Sequence, residues 1–192
     1  MSNAADVESS PIPERITVSR AITLRVPGAG DAPTIFSVVD ANRERLRRWL
    51  PWLDLNVSVG DSQAFVQNAT KARLAKQSAT WLIEYEGKVA GVISINDLKW
   101  QNRACEIGYW VAKEFEGRGV VSASVSALVD LAFDALALHR VEIRVAVGNA
   151  RSRAIPERLG FTCEGTTRDA EWLYDHFESL LIYSLLSTDT RA

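Results

Sequence analysis

The sequence predicts a single α+β domain, built on a mixed sheet of about seven strands flanked by about four helices. Three observations predict it. The apolar spacing alternates between helical and strand periods, giving the order β α α β β β α β α β β. The three successive strands in the middle of that order form a meander, so much of the sheet is antiparallel. No internal repeat or low-complexity tract interrupts the 192 residues, a length that buries a core without disulfide or metal staples.

The elements follow in order. The opening MSNAADVESSPIPER, residues 1–15, lacks an apolar run of signal-peptide length and is expected to be a disordered lead-in to a domain spanning 16–188. AITLRVP reads as a short strand ended by Pro27, and GAGDAPTIFSVVDANRERLRRWL as a helix opening near Asp31, whose carboxylate suits a cap. After the aromatic loop WLPWLDLNVSVG, DSQAFVQNATKARLAK supplies a second helix started by Asp61 or Ser62. SATWLIEYEGKVAGVISINDLKW forms two strands around Glu86–Gly87 and RACEIGYWVA a third, each dense in β-branched and aromatic residues. In the helix that follows, Val121, Val125, Leu128, Val129, Ala132, Phe133 and Leu136 recur at the spacing of one apolar stripe. The strand RVEIRVAV, a short helical segment in SRAIPERLG, and the strands FTCEGTTRDAEW and FESLLIYSLLS, joined through Asp175–His176, complete the chain.

Charge and cysteine usage exclude several function classes. Lys plus Arg number 22 against 24 Asp plus Glu, a net charge of −2 with no basic stripe, which argues against nucleic-acid binding. The cluster Arg43, Arg45, Arg47 and Arg48 reads as a solvated helix face, with steering of an acidic partner as the alternative. Cys105 and Cys163 stand without a Cys-x-x-Cys or a histidine cluster, so neither a disulfide framework nor a metal site is signalled, and a cytoplasmic location is expected. No segment approaches the roughly 18 apolar residues of a membrane span, so no membrane partner is expected.

The stretch EFEGRGVVSASVSALVDLAF raises a chemical question. Gly117 and Gly119 bring two residues without side chains to a helix N-terminus, where unpaired N–H groups and the positive end of the dipole collect. Ser122, Ala123, Ser124 and Ser126 are small as well, so an anionic ligand can approach the backbone. Taken alone, Gly-x-Gly is equally a loop that turns a strand into a helix.

Context decides. EIGYWV leading into Glu116-Gly117-Arg118-Gly119-Val120-Val121, followed by NARSRAIPERLGF, resembles the GNAT superfamily of N-acetyltransferases from Ile22 to Leu186. WLPWL, SRAIPERLGF and RDAEWL look like the branch of RimJ/RimL-type ribosomal-protein N-terminal acetyltransferases. The resemblance implies a twisted, mostly antiparallel sheet, acetyl-coenzyme A (acetyl-CoA) as co-substrate, and a homodimer. It places the pyrophosphate on the amides of Gly117, Arg118, Gly119, Val120, Val121 and Ser122. Backbone N–H groups near Trp110 and Val111 are implied to polarise the thioester, with Asn149 and Ser152 along the pantetheine arm. Glu116 stands where the family has Gln or Arg, and Val121 where it has a small residue; Arg118 is the candidate to compensate the extra carboxylate. Pro156 stands where many relatives carry an acidic tyrosine, and it leaves the Ser152 carbonyl free for a ligand.

For the base, the resemblance implies Glu171 first and Glu106 second, with Ser152 as a hydrogen-bonding relay to the departing thiolate. An α-amine titrates near 7.7 to 8.0 and a lysine near 10.4, so deprotonating lysine at neutral pH costs about 3.5 kcal/mol more. A site with one carboxylate is matched to a peptide N-terminus. Trp49, Trp52, Trp100, Trp172 and Tyr174 are candidates for a peptide-gripping groove, with His176 near its mouth, while His139 reads as structural. The expected function is therefore acetylation of the N-terminal α-amine of a protein, such as a ribosomal one. A small-amine acceptor (polyamine, amino acid or antibiotic) and a non-catalytic acyl-CoA-binding module are the alternatives. A dinucleotide fold is set aside, because Ser122 stands where a third glycine would be needed.

Overall fold

A computed structural model describes residues 11–190. Eight strands form one sheet: β1 (Arg15–Thr17), β2 (Ile22–Arg25), β3 (Ala79–Tyr85), β4 (Lys88–Lys99), β5 (Ala104–Val111), β6 (Arg140–Ala146), β7 (Thr162–Leu173) and β8 (His176–Leu186). Their spatial order is β1-β2-β3-β4-β5-β6-β8-β7, antiparallel everywhere except between β5 and β6. Five α-helices accompany it: α1 (Ala32–Ala41), α2 (Arg43–Leu46), α3 (Val59–Leu74), α4 (Val120–Asp130) and α5 (Ala150–Arg158).

Strand alternation sends neighbouring side chains to opposite faces. On one face Trp81, Ile83, Ile93, Ile95 and Ile107 meet a stripe that runs along α4 and the π-helical turn continuing it, Leu131–Ala135, in which Val125, Leu128, Ala132 and, just beyond, Leu136 are fully buried as the spacing predicts. Leu82 and Val92 on the other face meet Ile35 and Val39 of α1 and Val66 of α3, with Trp110 against the same cluster. These two layers position the site, because β5 contributes to both.

The structure differs from the sequence expectations at several places. Residues 1–10 lie outside the described residues, yet the chain is already packed before the boundary expected at 16: Ile12 is buried, and the Trp81 indole donates to the Pro13 carbonyl at 3.0 Å. Arg15–Thr17 then pairs with β2 as an eighth strand, too short to carry a periodic signal. Asp31 does not cap α1; its carboxylate grips the Arg25 guanidinium at 2.7 and 2.8 Å and accepts from the Gly28 amide. Ser58, rather than Asp61 or Ser62, caps α3, and Asp61 closes the reciprocal bond from the third position.

The long first helix breaks at Asn42. Its side chain donates to the Val38 carbonyl at 2.9 Å and accepts from the Lys113 amide at 2.9 Å, so the residue that ends α1 also ties it to the loop after β5.

Candidate active site

The site begins where two strands part. β5 and β6 pair only from Ala104–Arg140 to Glu106–Glu142; beyond that, β5 stays with β4 and β6 runs with β8. The Ala112 amide bonds the Ala90 carbonyl at 2.7 Å, so antiparallel alternation turns the Trp110 amide toward β4 and leaves those of Tyr109 and Val111 facing the gap. Of Trp110 and Val111, the two residues expected near the thioester, only Val111 turns its amide to the gap. Trp110 instead contributes its indole, tilted against Trp52 at 6.4 Å.

One wall of the gap is the start of α4. Gly117 and Gly119 have φ of +73° and +72°, a left-handed conformation that side chains disfavour, and a Cβ at either would meet nothing within 4 Å. The space above both is therefore open, and no side chain caps the helix. Val120 and Val121 point their side chains into the core, so they present only backbone here. The Ser122 hydroxyl accepts from Arg158 at 3.1 Å.

Arg118 does not compensate Glu116. Its Nε donates to the Glu114 carbonyl at 3.0 Å and its guanidinium lies 5.7 Å over the Tyr85 ring. Two other arginines hold Glu116: Arg45 of α2 at 2.7 Å on one oxygen and Arg151 of α5 on the other. Arg45 also donates to the Val111 carbonyl at 2.5 Å, fixing the end of β5.

The opposite wall is the first turn of α5. Asn149 acts as its cap, accepting from the Ser152 amide at 3.2 Å. Pro156 does free the Ser152 carbonyl from the helix ladder, but the carbonyl is not left for a ligand: the Tyr109 hydroxyl donates to it at 3.2 Å. The Ser152 hydroxyl donates in turn to the Tyr109 oxygen at 3.2 Å. Burial pushes the Tyr109 phenol up to about 12, the Ser152 bond opposing it, so Tyr109 stays protonated at neutral pH.

Both candidate bases line the same cavity of about 1650 Å³, as do Trp49 and Trp52. Glu106 pairs with Arg144 at 3.2 Å; burial raises its pKa, Arg144 lowers it, and Glu142, Asp97 and Glu171 raise it further. Glu171 is half-buried and has no ion-pair partner among the described residues. Burial, then the like charge of Glu178 directly across the hairpin, raises its pKa. A register shift between Thr167 and Glu171 bulges β7 just before this residue.

Four expected acceptor-side residues lie outside the cavity. Trp100 donates to the Lys76 carbonyl at 2.8 Å beyond the end of α3. Trp172 follows Glu171 on the strand, so alternation turns it to the other face, edge-on to Phe177 at 4.8 Å. Tyr174 bonds the backbone of Leu50 and Leu53, and His176 sits exposed between Asp175 and Glu178. His139 bonds Ser187 at 2.9 Å, a structural contact. Among the described residues no group of three or more His, Cys, Asp or Glu is placed to hold a metal, and no helix is long and apolar enough to cross a membrane.

This splayed strand, glycine-led helix and Asn-capped return helix match a known profile: the acetyltransferase (GNAT) domain, over residues 21–162. The chain belongs to the GNAT acetyltransferase family. Among curated relatives, YdaF of Bacillus subtilis (strain 168), named as a candidate ribosomal N-acetyltransferase, is 37% identical over 90% of this chain and 94% of its own. The ribosomal-protein-serine acetyltransferase of Escherichia coli (strain K12) is 28% identical over 89% of this chain and 96% of its own. A solved structure of RimL, a ribosomal L7/L12 α-N-protein acetyltransferase with coenzyme A, superposes with a TM-score of 0.86 at 29% identity, covering 90% of this chain and 98% of that one. The microcin C7 self-immunity acetyltransferase MccE, solved with acetyl-CoA and AMP, gives 0.88 at 29%, covering 92% and 98%.

The acetyltransferase uses acetyl-CoA, and its cavity fits that co-substrate by two observations. A Cβ at Gly117 or Gly119 would stand in open space, and the first turn of α4 offers amides that no side chain caps. What the sequence reading missed in this acetyltransferase are Tyr109, Asn42 and the partners of Glu116. Pro156 was the available signal for Tyr109, since a carbonyl freed in a helix needs a donor from elsewhere.

Proposed function

We propose that this acetyltransferase modifies the N-terminal α-amine of a protein of the ribosomal class, by direct transfer in a ternary complex. The observation that carries the reading is the cavity itself. It is larger than a pocket for one small ligand, and its acceptor half holds a carboxylate with raised proton affinity, Glu171, beside the aromatic loop of Trp49 and Trp52. The names of the YdaF and Escherichia coli relatives support the same acceptor class.

In this reading the tasks are divided along the cavity. The first-turn amides of α4, from Gly119 to Ser122, receive the pyrophosphate, and Asn149 and Ser152 flank the pantetheine arm. The Val111 amide donates to the thioester oxygen, where a donor of this kind contributes about 3 kcal/mol in the transition state. Glu171, directly or through a water, takes the proton from the amine as its nitrogen bonds the acetyl carbon. The Ser152 hydroxyl turns its proton from the Tyr109 oxygen to the sulfur as the carbon–sulfur bond breaks. Ser152 and Tyr109 are both weak acids, so they stabilise the thiolate by hydrogen bonding and the proton it finally takes comes from solvent. Glu171 is favoured over Glu106 because Arg144 holds the Glu106 carboxylate.

The test is release of free coenzyme A from acetyl-CoA with three acceptor sets. These are peptides with free Ser- or Ala-starting N-termini, the same peptides blocked but bearing lysine, and a panel of polyamines and amino acids. Turnover confined to free N-termini is expected. Turnover confined to small amines would overturn the acceptor class, and coenzyme binding without turnover on any amine would favour a binding module.

A further inference from the structure

Glu116 poses a problem for a phosphate cradle. A carboxylate immediately before Gly117 repels the pyrophosphate that the following amides attract, unless its charge is balanced. It is balanced twice over, by guanidiniums from two elements distant in sequence.

The two are held differently. Arg45 is anchored at Glu116, at the Val111 carbonyl and, at 3.3 Å, at Asn42, and its side chain is 29% exposed. Arg151 has Glu116 as its one partner among the described residues, and its side chain is 82% exposed at the first turn of α5. Both line the cavity together with Gly117 and Gly119. Arg45 is therefore a charge held at three points, and Arg151 an exposed one held at a single point in the lining of the same cavity.

We propose that Arg151 is a ligand of the coenzyme's phosphates, and that Glu116 competes with those phosphates for its guanidinium. An ion pair to so exposed an arginine is weak, whereas a guanidinium meets phosphate oxygens through paired, charge-assisted bonds. Arrival of the phosphates moves Arg151 across, and Arg45 remains to neutralise Glu116. The carboxylate thus sets how tightly the coenzyme is held, trading affinity for faster release of the product coenzyme A.

The inference rests on coenzyme binding and is independent of which amine is acetylated, so it is tested by calorimetry with coenzyme A and no acceptor. Four proteins form a cycle: wild type, Glu116→Gln, Arg151→Gln and the double variant, at low and at moderate salt. Glu116→Gln is expected to tighten coenzyme A about three- to fivefold, and Arg151→Gln to weaken it about five- to tenfold. In the Arg151→Gln background the gain from Glu116→Gln should largely disappear. Pantetheine, which has no pyrophosphate, should bind all four proteins alike, which also certifies that each is folded. Weaker binding by Glu116→Gln, unchanged binding by Arg151→Gln, or the same gain in both backgrounds would overturn the proposal. Failure of the N-terminal acceptor reading would appear only in the turnover assay and would leave these affinities untouched.

Discussion

The two halves of the cavity are made of different material. In the proposed reading the coenzyme half centres on one continuous run, from Val111 through Ser122, which offers backbone amides aimed by two left-handed glycines and a strand end, with Asn149, Arg151 and Ser152 of the facing turn beside it. Side chains collected from separate segments make the acceptor half: Trp49 and Trp52 after α2, Glu106 on β5, Glu171 on β7. A backbone site depends on conformation and absorbs a change such as Val121, whose side chain turns into the core, whereas the charge of Glu116 has to be balanced by Arg45 and Arg151. A side-chain site depends on the sheet order that brings its members together.

The largest effect should come from the side-chain half. Glu171→Gln is expected to lower kcat about a hundredfold or more, the usual contribution of a positioned base. Its affinity for coenzyme A should match wild type by calorimetry. If coenzyme affinity falls as well, the halves are not separable.

The backbone half should respond in the opposite sense. Gly119→Val must adopt a φ of +72°, costing about 1–2 kcal/mol, and its side chain would fill the open space over the helix start. Coenzyme affinity should drop about tenfold or more, read as a raised KM for acetyl-CoA, while KM for the acceptor stays put. Gly119→Ala should show the same direction more weakly.

A smaller effect separates the two carboxylates by pH. Both have raised pKa values, so the acid limb of kcat/KM should lie above an ordinary glutamate's 4.5 and activity should be lost as pH falls through it. Arg144 lowers the pKa of Glu106, so Arg144→Gln should push that group further up. An acid limb that moves with Arg144→Gln would assign the base to Glu106; one that stays fixed sharpens the assignment to Glu171.

The smallest expected effect lies outside both halves. Arg140, with help from Ser184, holds the Glu164 carboxyl down to about 2. A depressed carboxylate contributes stability that is present above its unfolded value of 4.5 and lost as pH falls toward 2. Arg140→Gln should flatten the acid-unfolding curve in that window without touching turnover at neutral pH.

What the sequence disclosed follows the same division. The glycine-led helix, its stripe from Val121 to Leu136 and the Asn149–Ser152 cap are local patterns, readable because their members lie within a few positions. Glu116 meets Arg45 from 71 positions away and Arg151 from 35, and Tyr109 meets Ser152 across 43, so these pairs exist only once the sheet is assembled. Trp100 and Trp172 looked like groove residues because composition shows aromatics but not the face they occupy. At Trp172 the period of two could have told, since Glu171 and Trp172 cannot point the same way.

One contact outside the cavity bears on how it opens. The Tyr174 hydroxyl donates to the Leu50 carbonyl at 2.5 Å and accepts from the Leu53 amide at 3.1 Å, with Arg47 stacked 3.7 Å over its ring. The turn of the β7–β8 hairpin is thereby fastened to the tryptophan loop from which the acceptor wall is made. Loop and hairpin tip then form one cooperative unit, so hydrogen exchange at the Leu53 amide should track the hairpin rather than its own neighbours. Any displacement of the tryptophan loop would therefore have to carry the hairpin tip with it, although the two are more than a hundred residues apart in sequence and Glu171 stands three positions before the tyrosine that joins them.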